Sequence, residues 1–311
     1  MKDMRLAGID IGTLTCRLLI ADLLVNGSLK EIRSERRILR LGEGVDRSKR
    51  LTDVAMDRVT QCLKEWRTVI DCYSVASSTV VATSAVRDAT NRQEFLDRVK
   101  QTTGFDVELI SGEEEAHRTM LGIRSGLPTG VTAILALDIG GGSTEFILDR
   151  PGQAPILRSI DIGVVRLSER MLQHDPPTHD EVQQAREWIS RETEKAMGAM
   201  PQRGGLTFVG TAGTITSLAA MAQQLQTYEP ARIHNYRLTR ETIAQLEQQL
   251  LARTKADRIG MPGLERNRED VIAAGAIIVR TIMETLGEQE CLVSDLGLRE
   301  GVLLDLAKRR R

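Results

Sequence analysis

Short apolar segments alternate with amphipathic segments along the chain, and this alternation predicts an α/β protein. Residues 5–11 and 17–24 are mostly apolar and are joined by a Gly-Thr-Leu-Thr turn, which is typical of a β-hairpin. Apolar positions at helical spacing over residues 52–70 predict the first long helix. Residues 74–84 are rich in valine, serine and threonine, and they predict a buried strand after that helix.

The following segment contains signals for the start and end of helices. Asn91 followed by Glu94 resembles a capping box and predicts a helix start, and Gly104 predicts the helix end. Residues 105–110 predict another strand. Ser111 predicts the N-cap of the next helix, because three acidic residues follow it in the first turn, where they suit the helix dipole.

The hairpin pattern returns in the middle of the chain. Residues 132–138 predict a strand, and residues 144–148 predict the strand that returns beside it. The three glycines at 140–142 predict the turn between them. The aspartates that precede the two turns, Asp10 and Asp138, are 128 residues apart (138 − 10). This interval indicates duplication of a supersecondary unit rather than a short repeat. The elements predicted after it are a strand at 154–161, helices at 164–173 and 179–199, a strand at 206–210, a helix beginning within 211–214, helices at 239–251 and 266–286, a strand at 291–294 and a helix from 298.

The length and one break in the pattern predict two domains. At 311 residues the chain is long for a single core. The Gly-Leu-Pro-Thr-Gly sequence at 126–130 predicts the boundary. We expect a first domain of residues 1–125, completed by a C-terminal helix at 298–311, and a second domain of residues 126–297.

Composition limits the classes of function. Hydrophobic residues make up 41% of the chain and aromatic residues 3%, as in a globular α/β protein. The net charge is −1, and no apolar run reaches the roughly 20 residues that span a membrane. We therefore expect a cytoplasmic protein with no membrane and no nucleic-acid partner. Four scattered cysteines predict reduced thiols rather than a disulfide or a zinc site. Basic residues cluster at 36–40, 49–50 and 308–311, either as solvated faces or as a lining for a long anionic substrate.

The two Asp-Ile-Gly turns carry the strongest chemical signal. Glycine lets the backbone approach an anion, and successive N–H groups form an anion-binding concavity to which neighbouring hydroxyls add donors. The aspartates at the strand ends, Asp10 and Asp138, would repel phosphate but suit a hydrated Mg²⁺ that bridges to phosphate oxygens. The predicted phosphate-binding residues are Gly12, Thr13, Thr15, Gly140, Gly141, Gly142, Ser143 and Thr144.

A third turn of glycine and hydroxyl residues lies at 210–214, between a predicted strand and a predicted helix. The free N–H groups of a helix N-terminus favour an anion or the polar edge of a nucleotide there. The alternative is an ordinary connection between a strand and a helix.

These three turns, in this order and spacing, resemble those of the sugar kinase, heat-shock protein and actin superfamily. Within it the chain resembles the exopolyphosphatase/guanosine pentaphosphate phosphohydrolase (Ppx/GppA) family, in its short two-domain form. The closer match is carried by the segments 41–45, 82–87, 110–116, 163–167 and 297–301. The resemblance implies an α/β chain with a duplicated actin-like, ribonuclease H-like fold and an active site in the cleft between the two domains.

The resemblance also implies roles for individual residues. Glu115 matches the family's catalytic carboxylate, which orients and deprotonates water, and Glu145 matches a second carboxylate of the active site. The alternative role, an acid that only stabilises a helix N-terminus, suits Glu113 and Glu114 better than Glu115. Arg17 and Arg87 match positions that face the phosphates, with an ordinary ion pair as the alternative. The candidates for a secondary substrate path are Gly210, Gly213, Thr214, Arg166 and Arg268.

One position departs from the family pattern. Leu14 stands where the family's first turn usually has an amide side chain. This change weakens the usual side-chain contact of that turn but leaves the backbone cradle intact.

The function implied by the resemblance is the release of orthophosphate, step by step, from the end of inorganic polyphosphate. Mg²⁺ is the implied cofactor, and a K⁺ requirement stays open. Hydrolysis of guanosine pentaphosphate is the alternative with the same chemistry. A kinase of the superfamily, or a non-catalytic binder of polyphosphate or of an alarmone nucleotide, fits the acidic residues less well. We expect a homodimer, because two-fold dimers are the commonest soluble assemblies.

Overall fold

The structure is a computed structural model that describes residues 4–198, 200 and 205–310. The chain forms two compact units. Unit 1 consists of residues 1–125 and 296–311, and unit 2 of residues 126–295. In the part of the chain that the structure describes, no helix is long and apolar enough to cross a membrane.

The secondary structure alternates between strands and helices in both units. The strands are β1 (Met4–Ile11), β2 (Thr15–Leu23), β3 (Leu29–Ile38), β4 (Ser77–Ala82), β5 (Val107–Leu109), β6 (Ile134–Ile139), β7 (Thr144–Asp149), β8 (Ile156–Ile160), β9 (Thr207–Thr211), β10 (Arg237–Thr239) and β11 (Glu290–Val293). The helices are α1 (Val45–Ser48), α2 (Asp53–Asp71), α3 (Ser84–Asp88), α4 (Arg92–Thr103), α5 (Gly112–Arg124), α6 (Val164–Met171), α7 (His179–Gly198), α8 (Ala212–Ala222), α9 (Pro230–Ile233), α10 (Arg240–Leu251), α11 (Lys255–Arg258), α12 (Ile272–Leu286) and α13 (Leu298–Arg309).

The two sheets repeat one topology. The sheet of unit 1 has the order β3-β2-β1-β4-β5, and the sheet of unit 2, read from its β8 edge, has the order β8-β7-β6-β9-β11-β10. In both sheets the first three strands are antiparallel neighbours, and the next two run parallel to the central strand. Strand β10 is an addition to the second sheet. The predicted α/β class with a duplicated unit is therefore confirmed.

The side chains of β1 alternate between two apolar faces of its sheet. Ile9 and Ile11 lie in one buried cluster with Leu63 and Trp66 of α2. On the other face, Leu6 packs in a cluster with side chains of α13. Each fully buried side chain of this size contributes about 1.5–3 kcal/mol. Helix α13 is thus part of the core of unit 1, although it is the last element of the chain.

Helices α5 and α13 meet at glycines. A Cβ atom at Gly301 of α13 would lie 1.6 Å from the carbonyl oxygen of Arg118 in α5. A Cβ atom at Gly122 of α5 would lie 1.9 Å from the carbonyl oxygen of Gly297. The backbones can approach this closely only because neither glycine has a side chain.

Most predicted elements are confirmed. The elements that were not predicted are strands β3 and β10 and the short helices α1, α3, α9 and α11. Helix α12 begins at Ile272, six residues after the predicted start at 266 (272 − 266). Asn91 precedes α4 but makes no cap hydrogen bond, because its side chain instead bonds the backbone N–H and carbonyl of Leu51 at 2.9 and 3.0 Å. Ala199, at the end of a predicted helix, and Arg311 lie outside the described residues.

Candidate active site

The first loop, residues 12–15, connects β1 to β2 and is closed by a hydrogen bond from the N–H of Gly12 to the carbonyl of Thr15 at 2.9 Å. The carbonyl of Leu14 accepts from the N–H groups of Leu39 and Arg40, both at 2.9 Å. The side chain of Leu14 is 5% exposed. The residue that departs from the family pattern therefore packs into unit 1, and the loop backbone is held in place from outside the hairpin.

Thr13 is fixed on both sides by residues far away in the sequence. Its Oγ1 lies 2.8 Å from the Oγ of Ser84 in a buried hydrogen bond, and its carbonyl accepts from the N–H of Gly42 at 2.9 Å. A Cβ atom at Gly42 would lie 2.3 Å from the Thr13 Cγ2. The segments that contain Gly42 and Ser84 support the family resemblance, but no local pattern in them indicated contact with the first loop.

The second loop, residues 140–143, repeats the closure of the first. The N–H of Gly140 donates to the carbonyl of Ser143 at 3.0 Å. The carbonyls of the three glycines accept, in chain order, from Val164 N at 3.0 Å, from Val165 N at 2.9 Å and from Arg166 Nε at 2.8 Å. The start of α6 therefore holds every carbonyl of the glycine run.

This arrangement determines where the amides of the second loop point. In a planar trans peptide the N–H is directed opposite to the preceding carbonyl. The N–H groups of Gly141, Gly142 and Ser143 consequently point away from α6, and no described residue accepts a hydrogen bond from them. Successive N–H groups on one side of a turn form an anion-binding concavity.

Gly163 makes the contact between α6 and the second loop possible. A Cβ atom there would lie 2.4 Å from the carbonyl carbon and oxygen of Gly141. The Nε of Arg166 is directed at the loop backbone, where it donates to the carbonyl of Gly142, and the residue is 7% exposed. The structure thus places Arg166 behind the loop, as a support of the glycine backbone.

Strand β7 directs consecutive residues to opposite sides. Thr144 has no exposed surface, and its Oγ1 donates to the carbonyl of Ile162 at 2.5 Å, so this hydroxyl is committed to the interior. Glu145 is 3% exposed and its Oε1 accepts from the Oγ of Ser159 at 2.9 Å. Asp138 is the cross-strand partner of Glu145, so both side chains lie on the same face of the sheet.

The corresponding cross-strand pair in unit 1 consists of an acidic and a basic residue. Asp10 is buried, and its cross-strand partner is Arg17. The Nε of Arg17 is buried and has no hydrogen-bond acceptor among the residues that the structure describes. A guanidinium in this position is suited to an external anion.

Glu115 and Arg87 come together within unit 1. Glu115 lies in the first turn of α5, where the Oγ of Ser111 accepts from the N–H of Glu114 at 3.1 Å and caps the helix. The Nη1 of Arg87 is 3.4 Å from the Oε2 of Glu115 and also donates to the carbonyl of Ile110 at 3.1 Å. An arginine therefore lies beside the carboxylate expected to handle water.

The third turn brings Gly213 and Arg268 together at the start of α8. A Cβ atom at Gly213 would lie 2.2 Å from the Arg268 Nη2, and Arg268 is 3% exposed. Ala212, the first residue of α8, has a left-handed φ of 69°, which for a residue with a side chain costs of order 1–3 kcal/mol. Strain of this kind is common at ligand sites.

Gly210 and Thr214 of the third turn pack against other elements of unit 2. A Cβ atom at Gly210 would lie 2.6 Å from the Sγ of Cys291, so glycine is needed for the contact of β9 with β11. Thr214 is 3% exposed and lies against Gly275 of α12.

The donor set suits a hydrated cation. Among the described residues, no group of three or more histidine, cysteine, aspartate or glutamate side chains could enclose a metal ion. Asp10 in unit 1 and Asp138 in unit 2 each carry a carboxylate, the type of oxygen donor that Mg²⁺ prefers. The buried thiols of Cys16 and Cys62 do not fit a metal ion, since burial raises the pKa of Cys16 and raises that of Cys62 to about 12.

Basic residues of two clusters, Arg37 of the first and Lys49 of the second, form ion pairs with nearby acidic residues. The Nη1 of Arg37 lies 2.5 Å from the Oε2 of Glu65, and its guanidinium stacks on Trp66 with 5.7 Å between the Arg37 Cζ and the ring centroid. Lys49 lies 3.8 Å from a carboxylate oxygen of Asp46. These contacts favour solvated faces over a lining for substrate.

Comparison with known proteins agrees with the geometry. The profile of the Ppx/GppA phosphatase family matches residues 20–310. Exopolyphosphatase 2 of Mycobacterium tuberculosis is 36% identical over 317 aligned positions, covering 97% of this chain and 98% of the relative. The guanosine-5'-triphosphate,3'-diphosphate pyrophosphatase of Aeromonas hydrophila is 30% identical, covering 96% of this chain and 59% of the relative.

Solved structures give the same result. The Ppx/GppA family member of Aquifex aeolicus has a TM-score of 0.84 and 34% identity, covering 100% of this chain and 99% of that one. An exopolyphosphatase of Cytophaga hutchinsonii has a TM-score of 0.89 and 29% identity, covering 98% of both chains. The chain therefore belongs to the Ppx/GppA phosphatase family, and the predicted enzyme class, a hydrolase of phosphoanhydride bonds, is confirmed.

Proposed function

We propose that the protein releases orthophosphate, one group at a time, from the end of inorganic polyphosphate by Mg²⁺-assisted attack of water. The observation that carries this proposal is the orientation of the amides of Gly141, Gly142 and Ser143, which the start of α6 turns to one side. Successive N–H donors on one side of a loop suit the oxygens of a phosphate group.

Positive charge for the phosphoryl group comes from arginine. Arg17 has a buried Nε with no acceptor among the described residues, and it lies opposite Asp10 at the end of β1. Transfer of a phosphoryl group spreads charge over its equatorial oxygens, so a preorganised guanidinium lowers the barrier. In this proposal Arg17 offsets that charge, and Thr13, Thr15 and Ser143 add hydroxyl or backbone donors to the two loops.

The attacking water is assigned to Glu115. Its carboxylate is held at the start of α5 within 3.4 Å of Arg87. A positioned carboxylate that accepts a proton from water contributes about 10²–10⁴-fold to a rate. Glu145, fixed by Ser159, supplies the second carboxylate of the site.

Asp10 and Asp138 would hold the Mg²⁺. When bound, the ion would neutralise part of the phosphate charge and polarise the phosphoryl oxygens. Because the ion would act on the substrate and not on the fold, we expect chelation of Mg²⁺ to abolish turnover without unfolding the protein.

Guanosine pentaphosphate is the second candidate substrate. It is favoured by the relative from Aeromonas hydrophila, whose name specifies a guanosine 5'-triphosphate,3'-diphosphate. Polyphosphate is preferred because the relative named exopolyphosphatase aligns over 98% of its length, against 59% for the pyrophosphatase.

The test is orthophosphate release from polyphosphates of graded length, from guanosine pentaphosphate and from ATP, each with Mg²⁺ and with a chelator. Release from polyphosphate with the highest kcat/KM is the expected result. A higher kcat/KM for guanosine pentaphosphate would make that nucleotide, and not polyphosphate, the preferred substrate. Transfer of phosphate from ATP to an acceptor, or binding of polyphosphate without release, would refute the hydrolase.

A further inference from the structure

Ser159 lies on β8, at the edge of the second sheet, and is the cross-strand partner of Glu145. Its Oγ donates to the Glu145 Oε1 at 2.9 Å. We propose that Ser159 is a positioning residue, which holds Glu145 in the orientation needed for phosphoanhydride hydrolysis. This inference rests on the proposed function.

Ser159 completes a row across three strands. Asp138 of β6, Glu145 of β7 and Ser159 of β8 are paired in register. Directly opposite residues of antiparallel strands share a face and lie close enough for their side chains to interact. The hydroxyl of Ser159 therefore meets the carboxylate from the side away from Asp138.

The contact matters because glutamate has three side-chain torsions. Glu145 is 3% exposed, so its carboxylate has little water around it to compete with a protein donor. A hydroxyl donating to one oxygen selects one orientation of the carboxylate, and hydrogen bonds to charged groups are the stronger ones. An oriented second carboxylate keeps the reacting groups in place at no cost during turnover.

Ser159 itself is exposed, so its replacement does not disturb the packing of the core. Loss of an exposed hydroxyl on an edge strand leaves no cavity, and threonine in its place keeps the hydroxyl and suits a strand. Ser159→Ala and Ser159→Thr thus form a matched pair that differs in the hydrogen bond to Glu145.

We expect kcat to fall about 10-fold in Ser159→Ala, which is the size of effect that loss of one hydrogen bond to a carboxylate produces. The change in KM should be smaller. Ser159→Thr restores most of the rate. Ser28→Ala, which removes an exposed hydroxyl bonded to Asn26 in a turn of unit 1, is the control and leaves both constants unchanged.

A double-mutant cycle with Glu145→Asp decides the mechanism. Aspartate keeps the charge but withdraws the carboxylate from Ser159, so Ser159→Ala causes no further loss of kcat in this background if it acts through Glu145. An equal loss of kcat in both backgrounds, or no loss in the wild-type background, overturns the inference while the proposed function stands. If the wild type releases no phosphate from any substrate, the proposed function fails and the role of Ser159 fails with it.

Discussion

Arg17 and Glu145 are equivalent residues of two duplicated hairpins. Each is the cross-strand partner of the aspartate that lies two residues before its loop, Asp10 for Arg17 and Asp138 for Glu145. The same position therefore carries a basic residue in unit 1 and an acidic residue in unit 2. The duplication preserved the backbone of the loops and divided the chemistry between the two copies.

Replacement of Arg17 tests its role in binding phosphate charge. Arg17→Gln should lower kcat/KM for polyphosphate by about 10–100-fold, because a hydrogen bond to a charged group contributes about 1.5–3 kcal/mol. Arg17→Lys should recover only part of the loss, since lysine cannot make bidentate contacts. Arg5→Gln, which breaks a 2.8 Å ion pair with Asp22 at the other end of β1, is the control in steady-state kinetics. Equal kinetics for the Arg17 and Arg5 variants would exclude the assignment.

The support of the second loop by α6 can be tested at Gly163. In Gly163→Ala the new Cβ would lie 2.4 Å from the carbonyl group of Gly141, so the loop must shift. A displacement of about 1 Å can cost 10²-fold in rate, and we expect a fall in kcat/KM of that order. Gly198→Ala, where a Cβ atom meets nothing within 4 Å, should behave as wild type. A fully active Gly163→Ala protein would show that the position of the loop is not critical.

The crossing of α5 and α13 predicts a stability effect without a role in chemistry. Gly301→Ala would place a Cβ 1.6 Å from the carbonyl oxygen of Arg118, and overpacking of this kind destabilises by about 1–3 kcal/mol or more. Gly112→Ala, in the same helix pair, meets nothing within 4 Å and should leave the free energy of unfolding unchanged or slightly raised. Urea unfolding measures both, and equal midpoints would contradict the close approach.

Glu181 predicts an acid-sensitive contribution to stability in unit 2. Burial raises its pKa, but hydrogen bonds from His174, Thr178 and Gln173 outweigh burial and lower the pKa from 4.5 to about 2. Since the folded pKa is the lower one, the contribution is complete above pH 4.5 and is lost as the pH falls towards 2. The difference in free energy of unfolding between wild type and Glu181→Gln should therefore shrink between pH 6 and about pH 3. A constant difference over that range would refute the assignment.

The hairpins, most helices and the duplication could be predicted from the sequence because each depends on local patterns. The two loops follow apolar strands and contain glycine at their first position, and Ser111 caps α5 as its hydroxyl suggests. Strand β3 could not be predicted, since its sequence, Leu-Lys-Glu-Ile-Arg-Ser-Glu-Arg-Arg-Ile, has too few apolar residues to mark a strand. It is an edge strand, and charged side chains are common on edges.

The supports of the candidate site depend on contacts between distant segments, which no local pattern reveals. Gly42 lies against Thr13, and Gly163 lies against Gly141, across 29 and 22 positions (42 − 13 and 163 − 141). The alternation of β7 was foreseen, since Thr144 and Glu145 face opposite sides, but the hydroxyl of Thr144 is directed at Ile162 and not outwards. The pairing of Glu145 with Ser159 could not be predicted, because it depends on the register between β7 and β8.

The most direct test of the account is the initial rate of orthophosphate release from polyphosphate of defined length with Mg²⁺, for wild type, Glu115→Gln and Glu113→Gln. Glu113 is an exposed neighbour in the same helical turn and serves as the control. We predict stepwise release by the wild type and by Glu113→Gln, and a rate about 10²–10⁴-fold lower for Glu115→Gln. A wild type that releases no orthophosphate, or a Glu115→Gln protein that releases it at the wild-type rate, would contradict the account.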